Sequence, residues 1–123
     1  MNRIEEFEHE GKDVVLFDLS GLENDNEYID LIKKAKAIII KYSDNSLYTI
    51  TNMTGAVVSK NTHDIIADWV MHNKPYVKFG VVFGADATQK IIGKTASAVT
   101  QRSNLVYLNT KEEALDYISN LDQ

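Results

Sequence analysis

The feature that most constrains this chain is a repeated change of side-chain period. Val14-Val15-Leu16-Phe17, Leu47-Tyr48-Thr49-Ile50 and the stretch from Tyr76 to Phe83 are nearly continuous apolar runs. Between them lie segments whose apolar residues recur every three to four positions. A run that is apolar at successive positions suits a strand covered on both faces, as in a parallel sheet flanked by helices. The intervening period suits helices that bury one stripe.

Reading along the chain, Ile4 to His9 alternates weakly and predicts a short edge strand. Gly11-Lys12 turns it back into the run Asp13 to Asp18, which favours a hairpin. Asn24 to Tyr42 has helical period, with Tyr28, Ile32, Ala35, Ile39 and Tyr42 on one face and Leu31 and Ile38 beside them. Its acidic residues (Asp25, Glu27, Asp30) come early and its lysines late, complementing the helix dipole. Leu47 to Asn52 is a β-branched and aromatic strand. A helix is expected from about Asn61 to Asn73, buried through Ile65, Ile66, Trp69 and Val70, and closed before Pro75. Tyr76 to Phe83 is the next strand, and Gly84 ends it. Asp86 or Thr88 opens a further helix carrying Ile91, Ile92, Ala96 and Val99. Asn104 to Leu108 is the last strand, and Thr110 to Glu113 forms a capping box for a final helix bearing Leu115, Ile118 and Leu121.

The expected order is ββαβαβαβα. Strands joined through helices pair in parallel with right-handed crossovers, so the fold class is α/β: a mostly parallel five-stranded sheet with one antiparallel edge strand. With 123 residues, 6 Gly and 1 Pro, the chain suits a single domain without a long flexible linker.

The formal net charge of −5, from 18 acidic and 13 basic residues, repels polyphosphate, so nucleic acid is not an expected partner. The chain has no cysteine, which excludes disulfides, thiolate nucleophiles and Cys-based zinc sites. The first residues lack an apolar leader core, and the longest apolar run, Ala37-Ile38-Ile39-Ile40, is far below a membrane span. The expectation is a soluble cytoplasmic protein without a cofactor.

In open parallel sheets, ligands collect at the carboxyl ends of the strands. Here those ends are Asp18-Leu19-Ser20-Gly21, Asn52-Met53-Thr54-Gly55, Gly84-Ala85-Asp86 and Leu108-Asn109-Thr110. Each leads toward a helix N-terminus, where free N–H groups favour an anion. Asp18, Ser20, Asn52, Thr54, Gly55 and Gly84 are therefore the candidate binding or phospho-acceptor residues. Turns and helix caps account for the same residue types.

Other patterns carry less. Gly93-Lys94-Thr95 imitates the end of a phosphate-binding P-loop, but Thr88 stands where the first glycine is needed and the intervening residues have helical period. Asp64, Asp68 and His72 share one helix stripe, yet that stripe faces away from the apolar one, as a solvated face does. Asn52-Met53-Thr54 matches a glycosylation sequon, which has no meaning without a secretory route. No histidine falls predictably beside Asp18 and Ser20, so neither an activated nucleophile nor a paired acid and base can be assembled.

The element order resembles that of the STAS superfamily, the domain shared by sulfate transporters and anti-sigma factor antagonists. Asn52-Met53-Thr54-Gly55-Ala56 is similar to the antagonists' Asp-Ser-Ser-Gly-Leu loop, with Asn and Met in place of Asp and the first Ser. The resemblance implies Thr54 at the phospho-acceptor position. His72 to Lys78 also resembles the small stand-alone bacterial STAS-like proteins. By contrast, the acidic pair and terminal lysine of a response-regulator receiver are missing. Three functions follow as expectations: a non-enzymatic regulatory or protein-interaction domain with a phosphate switch at Thr54 or Ser20, a carrier of an anionic or lipid-like ligand, and, ranked last, an enzyme using Asp18 and Ser20. A regulatory protein partner, a small ligand or a second copy in a two-fold dimer are the expected partners.

Overall fold

The side-chain periods are realised as a mixed five-stranded sheet between helical layers, in a computed structural model that describes residues 2–86, 89–90 and 104–121. Strands β1 (Ile4–His9), β2 (Lys12–Asp18), β3 (Leu47–Asn52), β4 (Val77–Phe83) and β5 (Leu105–Leu108) lie side by side in chain order. β1 and β2 pair antiparallel through a turn in which Glu10 and Gly11 take positive φ of 54° and 78°. The β2–β3, β3–β4 and β4–β5 pairs are parallel. Helix α1 (Asp25–Ile39) crosses from β2 to β3, and α2 (Lys60–Asn73) from β3 to β4. Helix α3 (Lys111–Ser119) follows β5. The expected helix between β4 and β5, with Gly93-Lys94-Thr95 inside it, lies outside the described residues apart from Gln89 and Lys90.

Strand alternation divides the core. Val15, Phe17, Leu19, Leu47, Met53 and Val77 pack with Tyr28, Leu31, Ile32 and Ala35 of α1 and Trp69 of α2. Val14, Leu16, Tyr48, Ile50 and Val81 pack on the opposite face with Ala114 and Ile118 of α3. The central strands are thus buried on both sides, which is why their apolar residues run nearly continuously, Thr49 and Thr51 of β3 apart. Phe17 and Trp69 meet edge to face, with ring centroids 5.0 Å apart, a geometry favoured by the ring quadrupoles. At the sheet edge, β1 presents Glu5, Glu6 and Glu8 to solvent, and such charges discourage further strand pairing.

Each helix begins at a capping box. Thr110 accepts from the Glu113 backbone N–H, as the spacing predicts. Two further boxes, Asn24 with Glu27 and Ser59 with Thr62, start α1 and α2. They go unread in sequence because Asn–Glu and Ser–Thr depart from the commonest pairing of Ser or Thr with Glu or Gln. No helix among the described residues is long and apolar enough to cross a membrane.

Candidate functional site

Parallel pairing of β2 with β3 places Asp18 directly opposite Asn52 in register. Asn52 in turn pairs with Phe83, the residue before Gly84. The carboxyl ends of three adjacent strands therefore form one continuous rim, as the alternating pattern predicts.

The rim is held by polar contacts between its own segments. Asp18 Oδ1 accepts from the Ser20 backbone N–H at 2.9 Å and from Ser20 Oγ at 2.5 Å. Asn52 Nδ2 donates to the same oxygen at 3.4 Å, while Asn52 Oδ1 accepts from the Thr54 N–H at 3.0 Å. Asn52 thus links the two loops with both ends of its amide. The backbones lie against each other as well: Leu19 N–H donates to Asn52 O at 2.9 Å, Gly21 N–H to Thr54 O at 3.0 Å and Met53 N–H to Phe83 O at 2.9 Å.

Two glycines shape these loops. Gly55 has a φ of 68°, which favours glycine, while a β-carbon there would make only an ordinary contact, 3.9 Å from the Gly21 nitrogen. Gly84, with a φ of 75°, is tighter: a β-carbon would meet the Thr54 hydroxyl and lie 3.2 Å from the Thr54 nitrogen. Only glycine combines that backbone region with that proximity.

Two residues of the site escape sequence reading. Arg3, just before β1, donates from Nη1 to Ser20 O at 2.8 Å and Asp18 O at 3.1 Å, and the same nitrogen lies 4.0 Å from Asp18 Oδ1. It reaches the rim because β1 runs antiparallel to β2, which carries its amino end to the carboxyl end of the sheet. Gln89 is buried and donates from Nε2 to Met53 O at 3.2 Å and to Ala56 O. Its N–H and Oε1 exchange hydrogen bonds with Asp86, at 2.8 and 2.7 Å. That reciprocity is the one a helix cap makes, in keeping with the expected start at Asp86.

Ser20 and Thr54 stand ahead of the helix starts that the sequence places at Asn24 and about Asn61: the caps of α1 and α2 are Asn24 and Ser59. Residues 21–23 and 55–58 intervene. The extra length is fastened through Tyr28, whose hydroxyl donates to Val57 O at 2.9 Å, and through Val57 N–H, which donates to Leu22 O at 2.8 Å. Neither hydroxyl therefore receives the N–H groups that a helix terminus offers an anion.

The remaining polar groups pair elsewhere. Asp68 binds Lys36 Nζ at 2.5 Å, bridging α2 to α1, and His63 Nδ1 lies 3.4 Å from Asp64. His72 contacts Asn73 at 3.1 Å, and His9 Nε2 contacts Ser119 Oγ at 2.7 Å. Among the described residues no histidine hydrogen-bonds to Asp18, Ser20 or Thr54. Ser20 has a carboxylate beside it but no imidazole to take its proton.

Fold and rim together define a mixed α/β sheet domain with a polar site along the strand carboxyl ends. Beyond that class, no family model matches the sequence, and no curated protein matches it.

Proposed function

We propose that this chain is a non-enzymatic regulatory or protein-interaction domain of the STAS-like type, with its docking face on the rim formed by Asp18, Ser20, Asn52, Thr54, Gly55 and Gly84. The carrying observation is the linkage of Asp18, Asn52 and Thr54 through one asparagine amide, beside an exposed Thr54. A pre-ordered rim suits recognition, because little conformational freedom is lost on docking.

Thr54 is the better phospho-acceptor of the two hydroxyls. Ser20 is half-buried and donates its proton to Asp18. Thr54 is exposed, and its Oγ1 rests against Gly84. A phosphoryl group on Oγ1 has no room there and turns the side chain outward. It also brings about −1.5 to −2 charges toward the Asp18 carboxylate. Both effects alter the surface that a partner meets.

The test is phosphopeptide mapping of the protein isolated from its own cells in several growth states, combined with partner binding by Thr54→Glu. Phosphate on Thr54 in a varying fraction, with binding changed at least tenfold by Thr54→Glu, supports the reading. Wholly unmodified Thr54 and Ser20 in every state remove the switch. A turnover activity lost in Asp18→Asn overturns the non-enzymatic assignment.

A further inference from the structure

On the other side of the rim residues lies a cavity of about 80 Å³ between the sheet and α2. Leu19, Met53 and Ala85 line it from above, as the inward neighbours of Asp18, Asn52 and Gly84. Its lining is mainly apolar, yet Thr49, Thr51, Asn73 and Tyr107 bring polar groups to it. Thr49 and Asn73 are buried, and burial pushes the Tyr107 hydroxyl above its ordinary pKa, so it stays protonated. Threonines on the inward side of a central strand are unusual where Val or Ile would close the space.

Trp69 also lines the cavity. It is only 5% exposed, and among the described residues its indole Nε1 has no hydrogen-bond partner. An indole nitrogen can only donate, and a buried donor without an acceptor is costly. The described lining residues include no charged side chain, so an ionised guest would lose its hydration without compensation. The volume is below that of dry cavities that admit a benzene-sized guest, on the order of 150 Å³.

We propose that this cavity is a binding site for a compact, neutral, mainly apolar molecule with one hydrogen-bond acceptor, which takes the Trp69 indole N–H. The site is separate from the rim and does not rest on the rim's assigned role. Its ligand class differs from the anionic one that strand ends alone suggest, because the described lining offers donors but no cation.

Trp69 is the chain's one tryptophan, so a ¹⁵N-labelled sample has one indole N–H resonance. The experiment titrates the protein with acetone and, separately, with isobutene, which has the same heavy-atom count and no acceptor. Acetone is expected to move the indole proton saturably to lower field, and isobutene is expected not to. Trp69→Phe should weaken acetone about five- to tenfold, as the loss of one hydrogen bond implies, and change isobutene less than twofold. An indole proton unmoved by acetone overturns the proposal, as does undiminished acetone binding in Trp69→Phe. If that variant does not fold, the contrast between the two probes on the natural protein decides the question alone.

Discussion

Gly84 lies so close to Thr54 that a β-carbon at position 84 would fall 3.2 Å from both the Thr54 Cβ and its backbone nitrogen. This contact joins the end of β4 to the loop after β3, and it makes glycine a structural requirement at the rim. Gly84→Ala adds a side chain at a φ of 75° as well as the collision. The expected loss is about 2–3 kcal/mol in urea unfolding, from left-handed strain and overpacking together. In a Thr54→Gly background the collision with the side chain disappears but the strain persists. A double-mutant cycle should therefore give a coupling of about 1 kcal/mol.

Arg3 ties the amino end of β1 to the Ser20 segment through two carbonyl oxygens. Arg3→Gln removes a charged donor from partly buried acceptors, which should cost about 1–2 kcal/mol. Amide hydrogen exchange should accelerate at Ser20 and Gly21 more than at the centre of β3. Equal protection of the two regions in the variant would mean that Arg3 does not hold the rim.

Alkaline pH should destabilise the fold through two tyrosines. The Tyr28 hydroxyl is pushed up to about 12 by burial and, less strongly, by Glu27. Tyr42 is pushed up to about 12 by burial, then by its 2.7 Å hydrogen bond to Glu6 and the charges of Glu6 and Asp13. Below the ordinary value of 10.0 both folded and unfolded chains keep these protons. Between 10.0 and about 12 the unfolded chain releases them while the folded chain holds them. The stabilising contribution is thus complete below pH 10.0 and fades as pH rises toward about 12. Melting temperatures across this window should fall less steeply in Tyr28→Phe and Tyr42→Phe. Tyr28→Phe should also cost about 1 kcal/mol at neutral pH, through the lost bond to Val57 O.

The Lys36–Asp68 pair links α1 to α2 on the surface, with the Asp68 side chain 70% exposed. Asp68→Asn should change stability by no more than about 0.5–1 kcal/mol, and less in high salt. A larger loss in thermal unfolding would show that the pair organises the packing of the two helices.

The helix starts offer a sharper comparison. Thr110→Ala and Ser59→Ala each remove a side-chain acceptor from a backbone N–H at a capping box. Each should cost about 1 kcal/mol in urea unfolding. Ser59→Ala should in addition loosen residues 55–58, which lie between Thr54 and α2, and hydrogen exchange at Ala56 and Val57 reports that directly.

Side-chain period determined the strands, the α1 stripe and the parallel order; in α2 it named Trp69, but Ile65, Ile66 and Val70 are only half-buried and the other buried residues are Thr62 and Asn73. Burial on two faces or one leaves a local pattern that can be read residue by residue. The rim was legible for the same reason, since parallel pairing of consecutive strands brings Asp18 and Asn52 together without further information. The tertiary structure decided the rest. Arg3 meets Ser20 only through the antiparallel hairpin, Gln89 reaches the Met53 loop from beyond β4, and Gly84 must face Thr54 in space. Tyr28 of α1 fastens the loop after Thr54 through its bond to Val57 O. The cavity beside Trp69 depends on how far α2 stands from Thr49 and Thr51. Each of these is a distance between segments remote in sequence, set by packing, for which neighbouring residues carry no signal.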